Sequence, residues 1–308
     1  MGHVTDLSAG IAVRETTRDA AVPAASLARA RAGALVGAIV LLIAWIAIVA
    51  WAEPFIWGAL GSGHDSRPYW ATPLSHPYDD STVGAFNAYL YSPVFLQLVA
   101  PLRALSWVGF MGAWEAILIL ATAALAGPAL LAPIGLVLVP ELLGGNITVL
   151  LALAIVAGFR WPALWAFVVL TKVTPGIGLL WFAVRREWRS LGIALGATLA
   201  VIAISFVVLP DAWRHWVDVL AAGATTDVTS GSIPIPLLVR LPFAVVLLAW
   251  GARTDRRWVV PVACFLALPV LWYGSLALLA GVVPLVRPNL ATRWPALGVG
   301  WRTVFGGR

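Results

Sequence analysis

Two cations inside apolar stretches are the residues most able to do chemistry in this sequence. Lys172, the only lysine, lies within the apolar stretch 161–184, and Arg240 lies a few residues inside the stretch 234–251. An ionised side chain inside a membrane costs a few kcal/mol, so it is by default a functional candidate. Alternatively, each side chain snorkels to the membrane interface, or the lysine pairs with a carboxylate. The functional interpretation predicts that the two cations bind an anionic phosphate.

Carboxylates are concentrated in a polar stretch that follows the first apolar segment. Asp65, Asp79 and Asp80 all lie there. A carboxylate just outside a membrane span is suited to act as a general base toward an acceptor hydroxyl. By composition alone, each of the three is equally consistent with a solvated loop acid.

Three histidines in the polar stretches, each with acids nearby, raise the question of a metal site. They are His64, His76 and His215. The sequence has no HxH, HExxH or DxD spacing, and it has no P-loop or GxGxxG. We therefore expect neither a bound metal nor a cofactor.

The elements that must position these residues follow from the composition. Of 308 residues, 61% are hydrophobic and 11% are charged, whereas soluble domains carry about 25% charged residues. This excludes a soluble globular enzyme, a disordered chain and a disulfide-stapled secreted domain, since Cys264 is the only cysteine. The net charge of +6 comes from arginines at the ends of apolar segments, which is typical of membrane orientation rather than nucleic-acid binding. The chain is predicted to be an all-α polytopic membrane protein.

The apolar segments predict the domain organisation. The first, Gly33–Trp51, is long enough to cross about 30 Å of hydrocarbon. The others cover about 92–110, 113–131, 146–159, 161–184, 188–209, 234–251 and 258–286. We expect a tail at 1–31, a transmembrane domain at 32–287 with about 8–10 transmembrane or re-entrant helices, and a tail at 288–308.

Charge placement predicts the orientation in the plasma membrane. Arginines lie in both tails and in the turns between several apolar segments, so the N- and C-termini are expected to be cytoplasmic. The polar stretches at about 53–91 and 210–233 hold acids with only Arg67 and Arg214, so they are expected to be extracytoplasmic loops. Arg103 is expected near the cytoplasmic end, where its side chain would snorkel.

Two of the apolar segments have arginines at both ends, which conflicts with a single crossing. The segments 161–184 and 258–286 are therefore predicted to be helical hairpins, broken at Lys172–Gly176 and Pro269–Gly274. Irregular backbone inside a membrane is tolerated only where protein or water satisfies it. We expect each break to face a cavity.

The order of several short motifs resembles glycosyltransferase family 87. This family contains the polyprenyl-phosphate-mannose-dependent mannosyltransferases of the GT-C superfamily, including phosphatidylinositol-mannoside mannosyltransferases. In order, the motifs are Asp65 with Tyr69; Tyr91-Ser92-Pro93-Val94-Phe95 leading to Pro101-Leu102; Gly145-Asn146-Ile147-Thr148; Lys172-Val173-Thr174-Pro175; Arg185 to Trp188; Ser232 to Arg240; and Pro269, Trp272 and Tyr273.

The resemblance implies a GT-C-like helical bundle with an extracytoplasmic first loop. By that resemblance, Asp65 is the catalytic base, and the chemistry then suits Lys172 and Arg240 to stabilise the departing donor phosphate. The expected substrate-binding residues are Tyr69, Tyr91, Asn146, Trp272 and Tyr273. The aromatic ones are also consistent with an interfacial belt, and Asn146 with a helix cap beside Gly144 and Gly145.

The expected function is transfer of a hexose from a polyprenyl-phosphate donor to a lipid or glycan acceptor, and the resemblance implies mannose as the hexose. The reaction would serve cell-envelope glycolipid synthesis on the extracytoplasmic face and would invert the anomeric configuration. The partners are then the donor, the acceptor and the bilayer, without nucleic acid. The alternatives are a transporter or flippase for lipid-linked sugars and a catalytically inactive membrane relative.

Overall fold

The computed structural model describes residues 63–79, 81–82, 85, 87–223 and 232–287. The tails 1–31 and 288–308, the predicted span Gly33–Trp51 and Asp80 lie outside the described residues. Within the described ranges the chain is all-α, as predicted. The one β contact in these ranges is an isolated antiparallel bridge between Ser232 and Trp272.

The helices of the described residues are numbered in chain order. Their bounds are α1 Arg67–Ala71, α2 Pro93–Val99, α3 Trp107–Gly144, α4 Thr148–Gly158, α5 Trp165–Thr171, α6 Leu180–Val184, α7 Trp188–Val208, α8 Pro210–Gly223, α9 Leu237–Arg253, α10 Val259–Leu266 and α11 Val282–Val286. Short 3-10 helices cover Leu102–Ala104, Pro162–Leu164, Thr174–Leu179 and Tyr273–Gly281.

Helix α3 is a hairpin rather than one straight helix. A straight α-helix of its 38 residues would hold its ends about 57 Å apart. Instead, Gly127 interrupts it with φ 66° and ψ 171°, a conformation open to glycine. Both ends contact the same segment: Ser66 Oγ lies 3.0 Å from Met111 Sδ, and Gly63 N donates to Leu143 O at 2.7 Å. The helix therefore runs away from that segment and returns to it.

Only some of the apolar segments form helices long enough to cross a membrane. Within the described residues these are Trp107–Gly127 and Trp188–Val208. A third span results if Leu130–Gly144 and Thr148–Gly158, which meet at an angle of 119°, are taken as one bent span. The other apolar segments are divided into shorter helices, in keeping with a mixture of transmembrane and re-entrant elements.

The segment 92–110 does not form one span, contrary to the prediction. Helix α2 ends at Val99, a 3-10 turn follows, and α3 begins at Trp107. Pro101 lies at this interruption, and a proline cannot donate the hydrogen bond that would continue the helix.

Arg103 was predicted to lie at the end of the molecule opposite the loop that carries Asp65, and this prediction was also wrong. Arg103 Nε donates to Trp70 O at 3.1 Å, and its Nη2 donates to Thr72 O. The arginine therefore lies at the same end of the molecule as that loop. Its predicted position depended on a span at 92–110, which the structure lacks.

The second predicted outer loop, 210–233, contains a helix over its first part. In this helix, α8, Trp213 Nε1 donates to Ser205 Oγ at 3.0 Å and Trp216 Nε1 donates to Leu90 O at 3.2 Å. Both indoles are buried. The two stretches predicted as outer loops are therefore in contact with each other.

Both predicted helix breaks are confirmed. Helix α5 ends before Lys172, which is extended at φ −137° and ψ 110°. Helix α10 ends at Leu266, and helical structure resumes only at Tyr273. Cys264 Sγ donates to Pro175 O at 3.2 Å, which joins the two broken segments. That each break faces a cavity stays a prediction.

Candidate active site

Asp65 is positioned by backbone contacts between its loop and the end of α3. Its N–H donates to Gly144 O at 2.9 Å, and Ser66 N also donates to that oxygen, at 3.3 Å. Gly145 ends α3 with φ 69°, and a Cβ there would lie 2.4 Å from Ser66 Oγ. Only glycine therefore allows this close approach.

The carboxylate of Asp65 is held through one of its two oxygens. Oδ2 accepts from Asn146 Nδ2 at 2.9 Å and lies 3.5 Å from His64 Nε2. A Cβ on Gly144 would lie 3.2 Å from the same oxygen. The side chain keeps 36% exposure. One carboxylate oxygen is therefore anchored, while the group remains reachable from outside, as a general base requires.

Asn146 joins this carboxylate to the start of α4. Its Oδ1 accepts from Ile147 N at 2.7 Å and from Thr148 Oγ1 at 3.2 Å, while its Nδ2 binds Asp65. Its oxygen thus satisfies a donor at the helix start, where Ile147 is the N-cap residue, and its amide binds the candidate base. That Asn146 binds substrate stays a prediction. Trp114 Nε1 fixes the same turn by donating to Gly145 O at 2.7 Å.

Glu141 is a site residue that the sequence analysis missed. It is 2% exposed, and its Oε1 accepts from Thr148 N at 2.8 Å. Its Oε2 is buried and has no hydrogen-bond partner among the described residues. The rule that singled out Lys172 applies equally to an acid among apolar residues, but the predicted apolar segments stopped at 131 and resumed at 146, on either side of Glu141.

Lys172 stands at the first helix break, directly after the last residue of α5. In the described part of the chain its ammonium makes no ion pair within 4.0 Å and no side-chain hydrogen bond. Contacts through Asn146 bring the base candidate Asp65 and the buried acid Glu141 together, and Lys172 is a cation that has donors to offer.

Arg240 is placed differently. It is 4% exposed, and its guanidinium donates to four backbone carbonyls. The acceptors are Ile235 O at 2.8 Å, Leu266 O at 2.6 Å, Leu268 O at 2.9 Å and Pro269 O at 3.1 Å. Three of these carbonyls belong to the second helix break, so Arg240 replaces hydrogen bonds that the broken helix has lost.

Tyr69 and Tyr91 form a pair beside Asp65. Tyr69 is fully buried against Phe95 and Trp114, and its hydroxyl donates to Tyr91 Oη at 2.9 Å. Burial raises the pKa of both phenols well above the usual range, so both keep their protons at neutral pH. Tyr91 is half-buried and is the member that faces outward.

The late aromatic motif lies in the second break. Trp272 is half-buried and forms the bridge to Ser232, while the side chain of Tyr273 lies outside the described residues. A Cβ on Gly274 would lie 2.7 Å from Glu141 Oε2. The break is therefore adjacent to the turn that carries Asn146.

The described residues contain no group of three or more His, Cys, Asp or Glu side chains arranged to hold a metal ion. His64 is beside Asp65, but His76 is exposed and bonded to Ser75, at 2.6 Å. The groups that the site offers are therefore a base, an acid, a cation and phenols.

Comparison with known proteins identifies the family. The model of glycosyltransferase family 87 matches residues 89–300, more than half of the chain. The chain belongs to glycosyltransferase family 87. The matched range includes Lys172, Arg240, Asn146 and the late aromatic motif, whereas Asp65 precedes it.

Comparison with curated proteins and with solved structures gives less information about this chain than the family model does. The chain is 30% identical over 179 residues to adenosylcobinamide-GDP ribazoletransferase of Thiobacillus denitrificans (strain ATCC 25259 / T1). The similarity covers 57% of this chain and 56% of that protein. The chain thus spans little more than half of the relative's length. No solved structure matches.

Proposed function

We propose that this family 87 protein transfers a hexose from a polyprenyl-phosphate sugar to a lipid or glycan hydroxyl. Mannose is the hexose that we propose. The transfer takes place on the extracytoplasmic face of the plasma membrane, with both chain termini in the cytoplasm. The observation that carries the proposal is the carboxylate of Asp65, which is anchored through one oxygen by Asn146 and remains reachable from outside.

In this mechanism, Asp65 takes the proton of the acceptor hydroxyl as its oxygen attacks the anomeric carbon. The bond from that carbon to the phosphate oxygen breaks, and polyprenyl phosphate leaves with the electron pair. Lys172 stabilises the charge that develops on the leaving phosphate. A single displacement inverts the anomeric configuration, so a β-linked donor gives an α-linked product.

The remaining residues have supporting roles. Asn146 orients Asp65 through the bond to Oδ2. Tyr91, Trp272 and Tyr273 bind the substrates in this proposal, and buried Tyr69 acts by holding the Tyr91 hydroxyl. Arg240 supports phosphate binding by fixing the break that carries Trp272, because most of its N–H groups already bind carbonyls.

The decisive experiment follows label from radiolabelled polyprenyl-phosphate-mannose into endogenous lipid and glycan acceptors. Membranes would carry the wild type, Asp65→Asn or Asp79→Asn. Asparagine keeps the size of the side chain but cannot accept the proton, so Asp65→Asn should lower transfer at least about 1,000-fold. Asp79 is an exposed acid of the same loop, so Asp79→Asn should retain wild-type transfer.

Each other outcome has a defined meaning. Transfer that survives Asp65→Asn but is lost in Asp79→Asn would move the base to Asp79. Uptake of labelled donor lipid across the membrane without transfer would favour a transporter or flippase. Donor binding without transfer by the wild type would favour an inactive relative.

A further inference from the structure

The hydrogen bonds behind Asp65 continue past Asn146 to two buried residues that the proposed mechanism does not use. Thr148, the first residue of α4, is 0% exposed, and Glu141, near the end of α3, is 2% exposed. A buried polar side chain is costly unless it is hydrogen-bonded. The bonds that these two residues make therefore indicate what they do, and both bind the turn that carries Asn146.

One set of these bonds determines which end of the Asn146 amide faces Asp65. An amide side chain has an oxygen that accepts and a nitrogen that donates. Ile147 N can only donate and lies 2.7 Å from Oδ1, and the Thr148 hydroxyl donates to the same oxygen at 3.2 Å. The reversed amide would set its NH2 group against these two donors. Nδ2 is therefore directed at Asp65 Oδ2, 2.9 Å away.

Glu141 holds the backbone of the same turn at two points. Its carbonyl oxygen accepts from Asn146 N at 3.1 Å, and its side-chain Oε1 accepts from Thr148 N at 2.8 Å. Thr148 N belongs to the first turn of α4, where no carbonyl of that helix is available to it. The side-chain contact requires only an oxygen that accepts, so a charged and a neutral Glu141 side chain can both make it.

Asn146 in turn sets the direction of the Asp65 side chain. The backbone bonds of Asp65 fix its main chain but not the rotation of its carboxylate. In the described part of the chain, Oδ2 accepts a hydrogen bond from Asn146 and lies 3.5 Å from His64 Nε2, whereas Oδ1 makes no hydrogen bond. Oδ1 is therefore the oxygen left for the proton of the acceptor hydroxyl, and its position depends on the Asn146 amide.

We infer that Thr148 and Glu141 are positioning residues that hold the Asn146 amide, and through it Asp65, in the orientation needed for proton transfer. The inference rests on the proposed function, because it takes Asp65 as the base. Neither residue touches the reacting atoms. A displacement of about 1 Å can cost about 100-fold in rate, so the loss of one of several contacts behind Asp65 should have a smaller but measurable effect.

The first test removes the Thr148 hydroxyl in the full-length protein. Thr148→Val keeps the shape of the side chain and the backbone N–H, whereas Thr148→Ser keeps the hydroxyl. With polyprenyl-phosphate-mannose as donor, Thr148→Val should lower kcat roughly tenfold and leave the donor KM unchanged. Thr148→Ser should retain the wild-type kcat.

Thr122→Val is the matched control for the loss of a buried hydroxyl. Thr122 is 1% exposed, and its hydroxyl donates to Leu118 O at 2.9 Å, one turn earlier in α3. Thr122→Val should therefore show wild-type kinetics. The number of binding sites for polyprenyl phosphate is counted for every variant, so that a kcat lowered by partial unfolding would be recognised as a loss of sites.

A second pair of variants tests Glu141. Glutamine keeps an oxygen that can accept from Thr148 N, and leucine has none. Glu141→Gln should therefore retain most of the wild-type kcat, and Glu141→Leu should lower kcat at least as much as Thr148→Val does. Equal losses in Glu141→Gln and Glu141→Leu would overturn the role of Glu141. A Glu141→Leu variant that does not fold would make Glu141 a structural residue rather than a positioning residue.

A double-variant cycle shows whether Thr148 acts through Asn146. If it does, Thr148→Val should cause no further loss of kcat in the Asn146→Ala background, because the contact is already gone. A further tenfold loss in that background, an unchanged kcat in Thr148→Val, or an equal loss in Thr122→Val would overturn the inference.

The failure of the inference can be distinguished from the failure of the proposed function. A wild-type protein that transfers mannose, loses transfer in Asp65→Asn and keeps it undiminished in Thr148→Val would refute only the inference. A wild-type protein that transfers no mannose, or whose transfer survives Asp65→Asn, would refute both, because Asp65 would then not be the base that these residues position.

Discussion

The two broken apolar segments contain similar interruptions, but each treats its nearby cation differently. In the first, Lys172 is the interruption itself, and its ammonium has no acceptor among the described residues. In the second, Arg240 reaches over from α9 and donates to carbonyls at the end of α10 and within the break. The Lys172 ammonium at the first break therefore remains available to a ligand. The Arg240 guanidinium at the second break instead satisfies backbone carbonyls.

This difference shows that a cation in an apolar segment has two distinct uses. Carbonyls freed by a broken helix need donors wherever water is absent. Arginine, with five N–H groups in a planar arrangement, suits that need, whereas an ammonium acts as a compact point charge. Sequence alone places Lys172 and Arg240 in the same class, and only their contacts separate them.

The largest effect should come from removing the available charge. Lys172→Met keeps a long unbranched side chain in the first break but has no ammonium to oppose the charge on the leaving phosphate. We expect kcat/KM for the donor to fall about 100- to 1,000-fold, the range seen when one preorganised donor is lost. Detergent-solubilised protein should keep its melting temperature, because the ammonium makes no bond that the fold needs.

The contrast between the breaks would fail if Lys172→Met unfolded the protein. It would also fail if the variant retained wild-type donor kinetics, because the unpartnered ammonium would then have no role in transfer.

Sequence predicted the breaks well because their causes are local. Pro175 with Gly176, like Pro269 with Gly274, weakens a helix locally, because proline lacks an N–H donor and glycine is a poor helix former. The α3 hairpin was not predicted: the hydropathy of its sequence continues past Gly127, and its return is visible only from contacts at its two ends. A Gly-Pro pair at 127–128 was the available signal.

The candidate site was predicted unevenly for a related reason. Asp65, Asn146 and Lys172 are far apart in sequence, and a family resemblance rather than spacing placed them together. Glu141 was missed because it lies between the predicted apolar segments 113–131 and 146–159. That Arg240 binds carbonyls could not be predicted, since its acceptors are backbone atoms that no residue type identifies.

The second effect should come from removing the Arg240 guanidinium, which satisfies backbone carbonyls. This change should lower catalysis less than Lys172→Met does and should lower stability more. Arg240→Met would leave four carbonyls without their donor. Each buried acceptor left unsatisfied costs about 1–3 kcal/mol, so with partial relaxation we expect a loss of about 3 kcal/mol in the free energy of unfolding.

Denaturant unfolding of solubilised Arg240→Met, with Lys172→Met measured alongside as a control, would determine that loss in the free energy of unfolding. The fraction that remains folded should retain most of the wild-type kcat. An unchanged unfolding free energy with a large rise in donor KM would reverse the assignment and return Arg240 to direct phosphate binding.

The smallest effect uses the only cysteine as a reporter of the second break. Cys264 is fully buried in α10 and donates to Pro175 O, so its thiol is covered while the two broken segments stay packed together. Maleimide labelling of the folded wild type should therefore be slow and should require local opening. Arg240→Met frees the end of α10 and should speed labelling several-fold, whereas Lys172→Met should not. Equal acceleration by both variants would mean that the two breaks open as one unit. The different roles assigned to the two breaks would then not be matched by separate local opening.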